Sequence, residues 1–505
     1  MATSEPTCNQ EGIQELREEL EVLRTTSSVL DPGQDVRSAW TGSVLEVVTR
    51  QTETPQDAGA KVRPAAESED AAAPGCLRQH GLDEGPADID TVLQVYRQSV
   101  LGTGENALHP GYFAYIPTGG LYPAALGDFL AAACGTYTGA YPLCPGGVEM
   151  ENMLITWLAA LLGYPQGHAG NISSGGTMAT ITALATARDS AGIKAADFHR
   201  CVLYGSTLLH HSAEKALQAV GMAEATVRKV PVDAEFRMNV FSLEQQIMQD
   251  KEAGLLPFVV VATVGTTDVG SVDPVDAIAD VCRRHAVWLH VDGAYGGFFA
   301  LVDDVKHLFR GVGRSDSVVL NPHKGLFVPC GTGVLIVREG GKLLRCCSSH
   351  RLGNYYSCLQ LSHTELSPCQ LSFEQTRHFR GPRLWLPLKL YGIAAFRAAL
   401  REKLLLARYF YQRLKETGLF ELPLKPQLSV VVFRYATPPG EDTEYHNQRL
   451  LAAILSDGRV YLTPTTVGGA FFLRVCVLHF RSHLEHVDLC LTIIKQAAER
   501  ICNGG

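Results

Sequence analysis

Four short segments of this chain combine residue types that could do chemistry. Ser173-Ser174-Gly175-Gly176-Thr177 runs directly into the helical stretch MATITALATARD. Glycine lets a backbone come close, hydroxyls donate, and a helix start offers free N–H groups with partial positive charge, so the segment could seat a phosphate. It reads equally as a glycine turn followed by a Ser/Thr cap, and it matches neither G-x-G-x-x-G nor the P-loop. His290-Val291-Asp292 ends an apolar run and enters Gly293-Ala294-Tyr295-Gly296-Gly297, an acid followed by small residues that leave room for a flat group. Its plain alternative is an aspartate capping the next turn. Asn321-Pro322-His323-Lys324 closes the next apolar run. A lysine among apolar neighbours loses affinity for its proton, and the neutral amine can attack a carbonyl, although most such lysines are simply solvated. Finally, His210-His211 follows CVLYG with no metal-ligand spacing around it, so no metal is expected.

The elements that must position these groups follow from the texture of the chain. CVLYG (201–205), PFVVVATVG (257–265), VWLHVD (287–292) and SVVLNP (317–322) are continuous rather than alternating apolar runs, each after a helical stretch. That pattern predicts an α/β fold with a mainly parallel sheet covered on both faces. Each chemical segment then falls at the carboxyl edge of that sheet, where such folds bind ligands. Residues 11–48 have helical periodicity, with Ile13, Leu16, Leu20 and Leu23 on one stripe. Residues 51–75 are rich in Ala, Pro and acids, with Val62 the only large aliphatic, which predicts a linker too polar to order itself. From about Leu386 a long helix, short strands and a closing helix predict a smaller α+β lobe. The expected organisation is therefore 1–95 as helices and linker, 96–385 as the large domain, and 386–505 as the small one.

At 505 residues, with 46% hydrophobic and 19% charged residues, the chain can bury a sizeable core. A net charge of −8 without a long basic run argues against nucleic acid or an anionic membrane as partner. The amino terminus lacks a signal-like apolar stretch, and the longest apolar strings, such as Phe258 to Val264, are too short for a bilayer. Fourteen cysteines without framework spacing or a C-x-x-C pair fit free thiols of a reducing compartment. The expected setting is the cytoplasm and the expected partner a small molecule.

One cofactor would use all four segments together. Pyridoxal phosphate (PLP) has a phosphate to anchor, a ring to stack on, a pyridine nitrogen to keep protonated and an aldehyde to hold. At this point the chain resembles the PLP-dependent group II amino-acid decarboxylases, the family of the aromatic-L-amino-acid, histidine and glutamate enzymes. The resemblance runs from about Pro110 to Leu390 through YFAYIPTGGLYP, SSGGT, HHSAEKA, ATVGTTDVGSVDP, HVDGAYGG, NPHK and FRGPRLW. It implies a type I aminotransferase-like fold, a large PLP-binding domain, a homodimer with interfacial active sites, and an amino-acid substrate. By the same resemblance, Lys324 is the Schiff-base lysine and Asp292 the partner of the pyridine nitrogen. His210 stacks on the ring, with His211 as the fallback. Gly175, Gly176, Thr177, Asn321 and His323 hold the phosphate, Thr266 and Ala294 touch the ring region, and Tyr355 or Tyr356 in RLGNYYSC is the proton donor on a mobile loop.

Between Arg97 and Arg188 there is no lysine or arginine, whereas Glu105, Asp128, Glu149 and Glu151 fall there, together with Tyr112, Phe113, Tyr115 and Tyr137. An acidic substrate side chain would need a cation, so the stretch favours a neutral, aromatic L-amino acid unless an arginine arrives from the partner subunit or the carboxyl-terminal lobe. The chain departs from the family in TGAYPLCPGG, in Gly293 where alanine is usual, and in GLFVP after NPHK where a tryptophan is usual, which leaves the pocket shape open. Three alternatives also stay open: an acidic or other non-aromatic substrate, a transaminase using Arg380 to grip the substrate carboxylate, and a non-catalytic relative that keeps the fold.

Overall fold

The computed structural model describes residues 10–53, 61–62, 76–82, 85–348 and 365–502. The four apolar runs become β2 (Cys201–Ser206), β4 (Leu256–Thr263), β5 (Trp288–Gly293) and β6 (Ser317–Leu320). With β1 (Ala169–Ser173), β3 (Thr226–Val230) and β7 (Gly333–Val337) they make one seven-stranded sheet in the order β1-β7-β6-β5-β4-β2-β3. The pairs from β6 through β5, β4 and β2 to β3 are parallel, and β7 runs antiparallel to both β6 and β1. Side chains alternate across this sheet. Leu289, Val291, Val318 and Leu320 enter one core, while Val259, Val261, Trp288 and Val319 meet Ala179, Ala183 and Leu184 of the helix Gly176–Ser190 on the other face. Because both faces are covered, the strands carry no polar alternation, and each fully buried Val or Leu contributes about 1.5–3 kcal/mol. The α/β fold with a mainly parallel sheet stands as expected.

The carboxyl-terminal lobe is a second, antiparallel sheet of β8 (Phe420–Glu421), β9 (Val430–Tyr435), β10 (Thr463–Val467) and β11 (Ala470–Cys476), ordered β10-β11-β9-β8. The helices Thr443–Asp457 and Leu484–Cys502 belong with it. The long helix begins earlier than its periodicity suggests, at Gly381, and reaches Thr417. Gly392 interrupts it with φ 71° and ψ 158°, a conformation glycine adopts without steric cost. Leu384 before the break and Phe396, Leu400 and Leu404 after it join the large core, whereas Phe410 and Leu414 near the end of the helix join the small one. The expected boundary near residue 385 thus falls inside a helix shared by both cores.

By its contacts the chain divides into two compact units: the described residues up to 53 with 76–106, and residues 61–62 with the described residues from 107 onward. In the first, the helices Gln10–Ser27 and Gln34–Thr52 account for the periodicity seen in the sequence. Five residues of the expected linker 51–75 are described: Gln51 and Thr52 end the helix Gln34–Thr52, Glu53 caps it, and Lys61 and Val62 follow apart. Val62 is 1% exposed, packs with Tyr112, Ala114 and Tyr461, and donates its N–H to Gly458 O at 2.8 Å. One aliphatic side chain plus one strand-like hydrogen bond suffices to pin this point; the rest of 54–75 lies outside the described residues.

Candidate active site

The carboxyl ends of β1, β2, β4, β5 and β6 surround a cavity of about 360 Å³. Its wall includes Gly175, Gly176, Thr177, His210, Asp292, Ala294, Asn321, His323 and Lys324, so the residues singled out from four distant segments meet in one place. The phosphate-type seat forms where β1 ends and the helix Gly176–Ser190 begins with unpaired N–H groups. Gly176 leaves room for the Asn321 amide, because a Cβ there would lie 2.8 Å from Nδ2 and 2.9 Å from Oδ1 and would displace it. Asn321 Oδ1 is buried with no hydrogen-bond partner among the described residues.

His323 leaves the β6 end with its Nδ1 2.6 Å from Thr332 O, so Nδ1 carries the hydrogen and Nε2 is the acceptor. Burial pushes its pKa down to about 4. Lys324 is buried as well, and desolvation lowers its pKa against the opposing pull of Asp292. The NPHK turn is clamped from outside by the YFAYIPTGG segment. Gly119 donates to His323 O at 2.9 Å and Leu121 to Phe327 O at 3.1 Å. A Cβ on Gly119 would overlap the Phe327 backbone at 1.8–2.2 Å.

Of the two adjacent histidines, His210 lines the cavity, and His211 packs on it with ring centroids 4.1 Å apart. His210 Nδ1 accepts the Ser212 N–H at 3.2 Å and lies 2.8 Å from Ser212 Oγ, which fixes the ring. Burial lowers its pKa, with Asp292 opposing, so it is neutral at physiological pH. Asp292 accepts the Ala294 N–H through Oδ1 at 3.0 Å.

Three expectations need correction. Thr266 does not line the cavity: it is fully buried with its hydroxyl 3.0 Å from Ser271 Oγ, and its neighbours Gly265 and Thr267 face the cavity instead. The tight turn that returns Thr266 to Ser271 takes its side chain inward. Arg380 is equally withdrawn. It bonds Ile172 O and Glu374, so the residue that a transaminase would use to grip a carboxylate is committed elsewhere. Glu151 and Asp128 do not lack cations, since Arg377 pairs with Glu151 and Arg383 with Asp128 across more than 200 residues. Tyr355 and Tyr356 lie outside the described residues.

One neighbour escaped the sequence reading. Arg474 on β11 is 3% exposed, donates Nε to Thr267 O and Nη1 to Tyr115 O, and lies close enough to Lys324 to lower its pKa. Its Nη2 has no partner among the described residues. A lone arginine in an apolar strand, LRVCV, was the available signal.

A buried lysine whose proton desolvation loosens, a facing aspartate, a histidine wall and an anion seat built on a helix start fit PLP. A family model described as the pyridoxal-dependent decarboxylase conserved domain matches residues 74–436. The chain belongs to that family. It is an amino-acid decarboxylase that works with PLP. It is 30% identical to an aromatic-L-amino-acid decarboxylase of Bacillus atrophaeus over 83% of this chain and 88% of that one. The structure of Oryza sativa TDC with PLP and tryptamine superposes with TM-score 0.86 at 26% identity, over 93% of this chain and 99% of the other. Mouse CSAD superposes with TM-score 0.82 at 26% identity, over 92% and 99%. Among the described residues no helix is long and apolar enough to cross a membrane.

Proposed function

We propose that this decarboxylase converts a neutral aromatic L-amino acid to its amine and CO2, as a cytoplasmic homodimer. The observation that carries the substrate class is the cavity wall. Among the described residues its ionisable groups are Lys324 and Asp292 with the imidazoles His210 and His323, and no guanidinium of those residues lines it. An acidic side chain would enter without a partner, at a cost of several kcal/mol. Beside the wall, Tyr115 holds a 57%-exposed ring 6.4 Å from Tyr461, and Arg474 ties its carbonyl to that of Thr267. That ring offers a stacking surface to an aromatic substrate. Relatives named for aromatic amino acids support the same reading.

When bound, PLP supplies the carbonyl that takes the substrate amine and the cationic ring that draws off the electrons released with CO2. The chain's own residues do the rest. Lys324 presents an amine that burial keeps free of its proton more readily than in water. Asp292 holds a proton on the pyridine nitrogen, because a carboxylate beside a pyridinium favours the cation. Gly175, Gly176, Thr177 and Asn321 hold the phosphate. A phosphate anion would also favour the imidazolium of His323, whose Nε2–H then donates. His210, neutral and locked by Ser212, covers the ring. Tyr355 is the proton donor we assign to the loop, with Tyr356 as its rival.

The dimer is supported by apolar side chains that the N-terminal helices leave exposed, among them Leu16, Leu20, Leu23 and Trp40. Free thiols at Cys201, Cys282, Cys476 and Cys490, all buried, suit a reducing compartment. A second reading, an acidic substrate, rests on the unpaired Nη2 of Arg474. Measuring CO2 release from the PLP-loaded protein over a panel of L-amino acids separates them, with Lys324→Ala as control. We expect release from tyrosine, tryptophan, phenylalanine or dihydroxyphenylalanine, lost in the variant. Release from glutamate or cysteine sulfinate alone would overturn the substrate class, and a keto acid without CO2 would overturn the reaction.

A further inference from the structure

His290 has no part in the chemistry above, yet it is fully buried in the middle of β5, two residues before Asp292. Residues two apart on a strand share a face, so Trp288, His290 and Asp292 form one stripe on the side covered by the helix Gly176–Ser190. In register with His290 on the neighbouring strand is Ser317. Its hydroxyl lies 2.9 Å from Trp288 Nε1 and 2.8 Å from His290 Nδ1. An indole N–H can only donate, so Ser317 Oγ accepts from Trp288 and is left with one hydrogen to give. The acceptor in place for it is His290 Nδ1. The neutral ring must then carry its own hydrogen on Nε2.

That Nε2 is buried with no hydrogen-bond partner among the described residues. An unmatched donor in a dry core is costly, and a leucine or phenylalanine would pack the site without that cost. Something must compensate for keeping an imidazole there. Burial pushes its pKa down to about 4, and the one charge that acts against burial is Asp292. A neutral N–H dipole fixed next to a carboxylate stabilises the anion without adding a competing full charge. Asp292 itself has one hydrogen bond from the described residues, the Ala294 N–H at 3.0 Å.

We propose that His290 is a positioning residue for Asp292: the Trp288–Ser317 relay locks it as the Nε2–H tautomer, and its dipole holds the neighbouring carboxylate oriented toward the cofactor's pyridine nitrogen. The inference rests on the assignment of Asp292 to that nitrogen. It acts through Asp292 and touches neither substrate nor cofactor.

The test uses the full chain with His290→Leu, His290→Gln, Ser317→Ala and, as control, Asp292→Ala. Three quantities are read: the PLP dissociation constant from tryptophan fluorescence quenching of the apoprotein, the pH midpoint of the bound cofactor's visible absorbance, and kcat separately from KM. Removing the imidazole dipole beside Asp292 predicts about tenfold weaker PLP binding in His290→Leu, with a displaced absorbance midpoint and a lower kcat at nearly constant KM. His290→Gln, which can place an amide N–H where Nε2 stands, should recover most of all three. Ser317→Ala frees the tautomer and should move them in the same direction by less, about two- to threefold. A folded His290→Leu protein with the wild-type dissociation constant and midpoint, beside an Asp292→Ala protein that loses both, overturns the role of His290 alone. If Asp292→Ala keeps both, the assignment of Asp292 falls and this inference with it. Should His290→Leu fail to fold, unchanged values in Ser317→Ala overturn the proposal by themselves.

Discussion

Acid should weaken this protein partly through one histidine that does not line the cavity. His479 is 1% exposed at the corner that follows β11; its Nδ1 accepts the Arg481 N–H at 3.2 Å, and its ring stacks on Phe480 at 4.7 Å. Its Nε2 has no partner among the described residues. Burial lowers its pKa from 6.5 to about 3, and the groups around it, Arg481, Lys403, His109 and His483, push the same way. Glu402, the nearby acid, is taken up by Lys403 and His483. The folded pKa lies below the unfolded one, so the unfolded chain takes up its proton first as the pH falls. Stability is therefore full above the unfolded value and is lost as the pH drops from about 6.5 toward 3. Each pH unit in that window removes about 1.4 kcal/mol, so about 2 kcal/mol is gone at pH 5 and up to 4–5 kcal/mol at the lower end. The perturbation is His479→Asn, whose Oδ1 can still accept the Arg481 N–H but which cannot titrate. Urea midpoints of both PLP-loaded proteins at about pH 7.5 and pH 5 give the comparison. Other buried histidines, His290 and His323, titrate in both proteins and cancel in the difference. The variant should start less stable by about 1 kcal/mol and lose about 2 kcal/mol less on acidification. Equal losses in the two proteins would refute the reasoning.

Two further perturbations test how the site is held. Glu151→Gln leaves the fully buried Arg377 guanidinium without its counter-ion, at about 3–5 kcal/mol, so calorimetry should show a melting temperature lower by about 3–5 °C, and a shift under about 1 °C would contradict it. Gly119→Ala forces a methyl into the Phe327 backbone, so the NPHK turn must move; activity should fall about 100-fold with the far-ultraviolet circular dichroism preserved, and wild-type turnover would show that the clamp does not position Lys324.

The sequence alone determined the sheet and the list of groups at its edge. Continuous apolar runs of four to eight residues between helices have few other solutions than a covered parallel sheet, and their carboxyl ends are where SSGGT, HH, HVDG and NPHK lie. Local chemistry at a strand end travels with the strand, which is why Lys324, Asp292, His210 and Asn321 could be placed before any coordinates. The same logic could separate His210 from His211 only by resemblance, because the direction of a side chain in a turn depends on what packs behind it. Here Ser212 does so.

Only the tertiary structure decided matters of long range. The stretch from Arg97 to Arg188 looked starved of cations, but Arg377 and Arg383 return to it from another part of the chain, so the local count said nothing about the pocket. The resemblance put Thr266 in the ring region, but the turn that returns it to Ser271 takes its side chain into the core. Val62 looked too isolated to order, yet Tyr112 and Tyr461 converge on it from strands and loops that the sequence keeps about 50 and 400 residues away. Arg474 reached the Lys324 neighbourhood because the small sheet delivers it there, and His290 acquired meaning once Ser317 stood opposite it. Periodicity and turn chemistry are written in neighbouring residues, whereas charge pairing and side-chain direction belong to surfaces that exist only after the chain has folded.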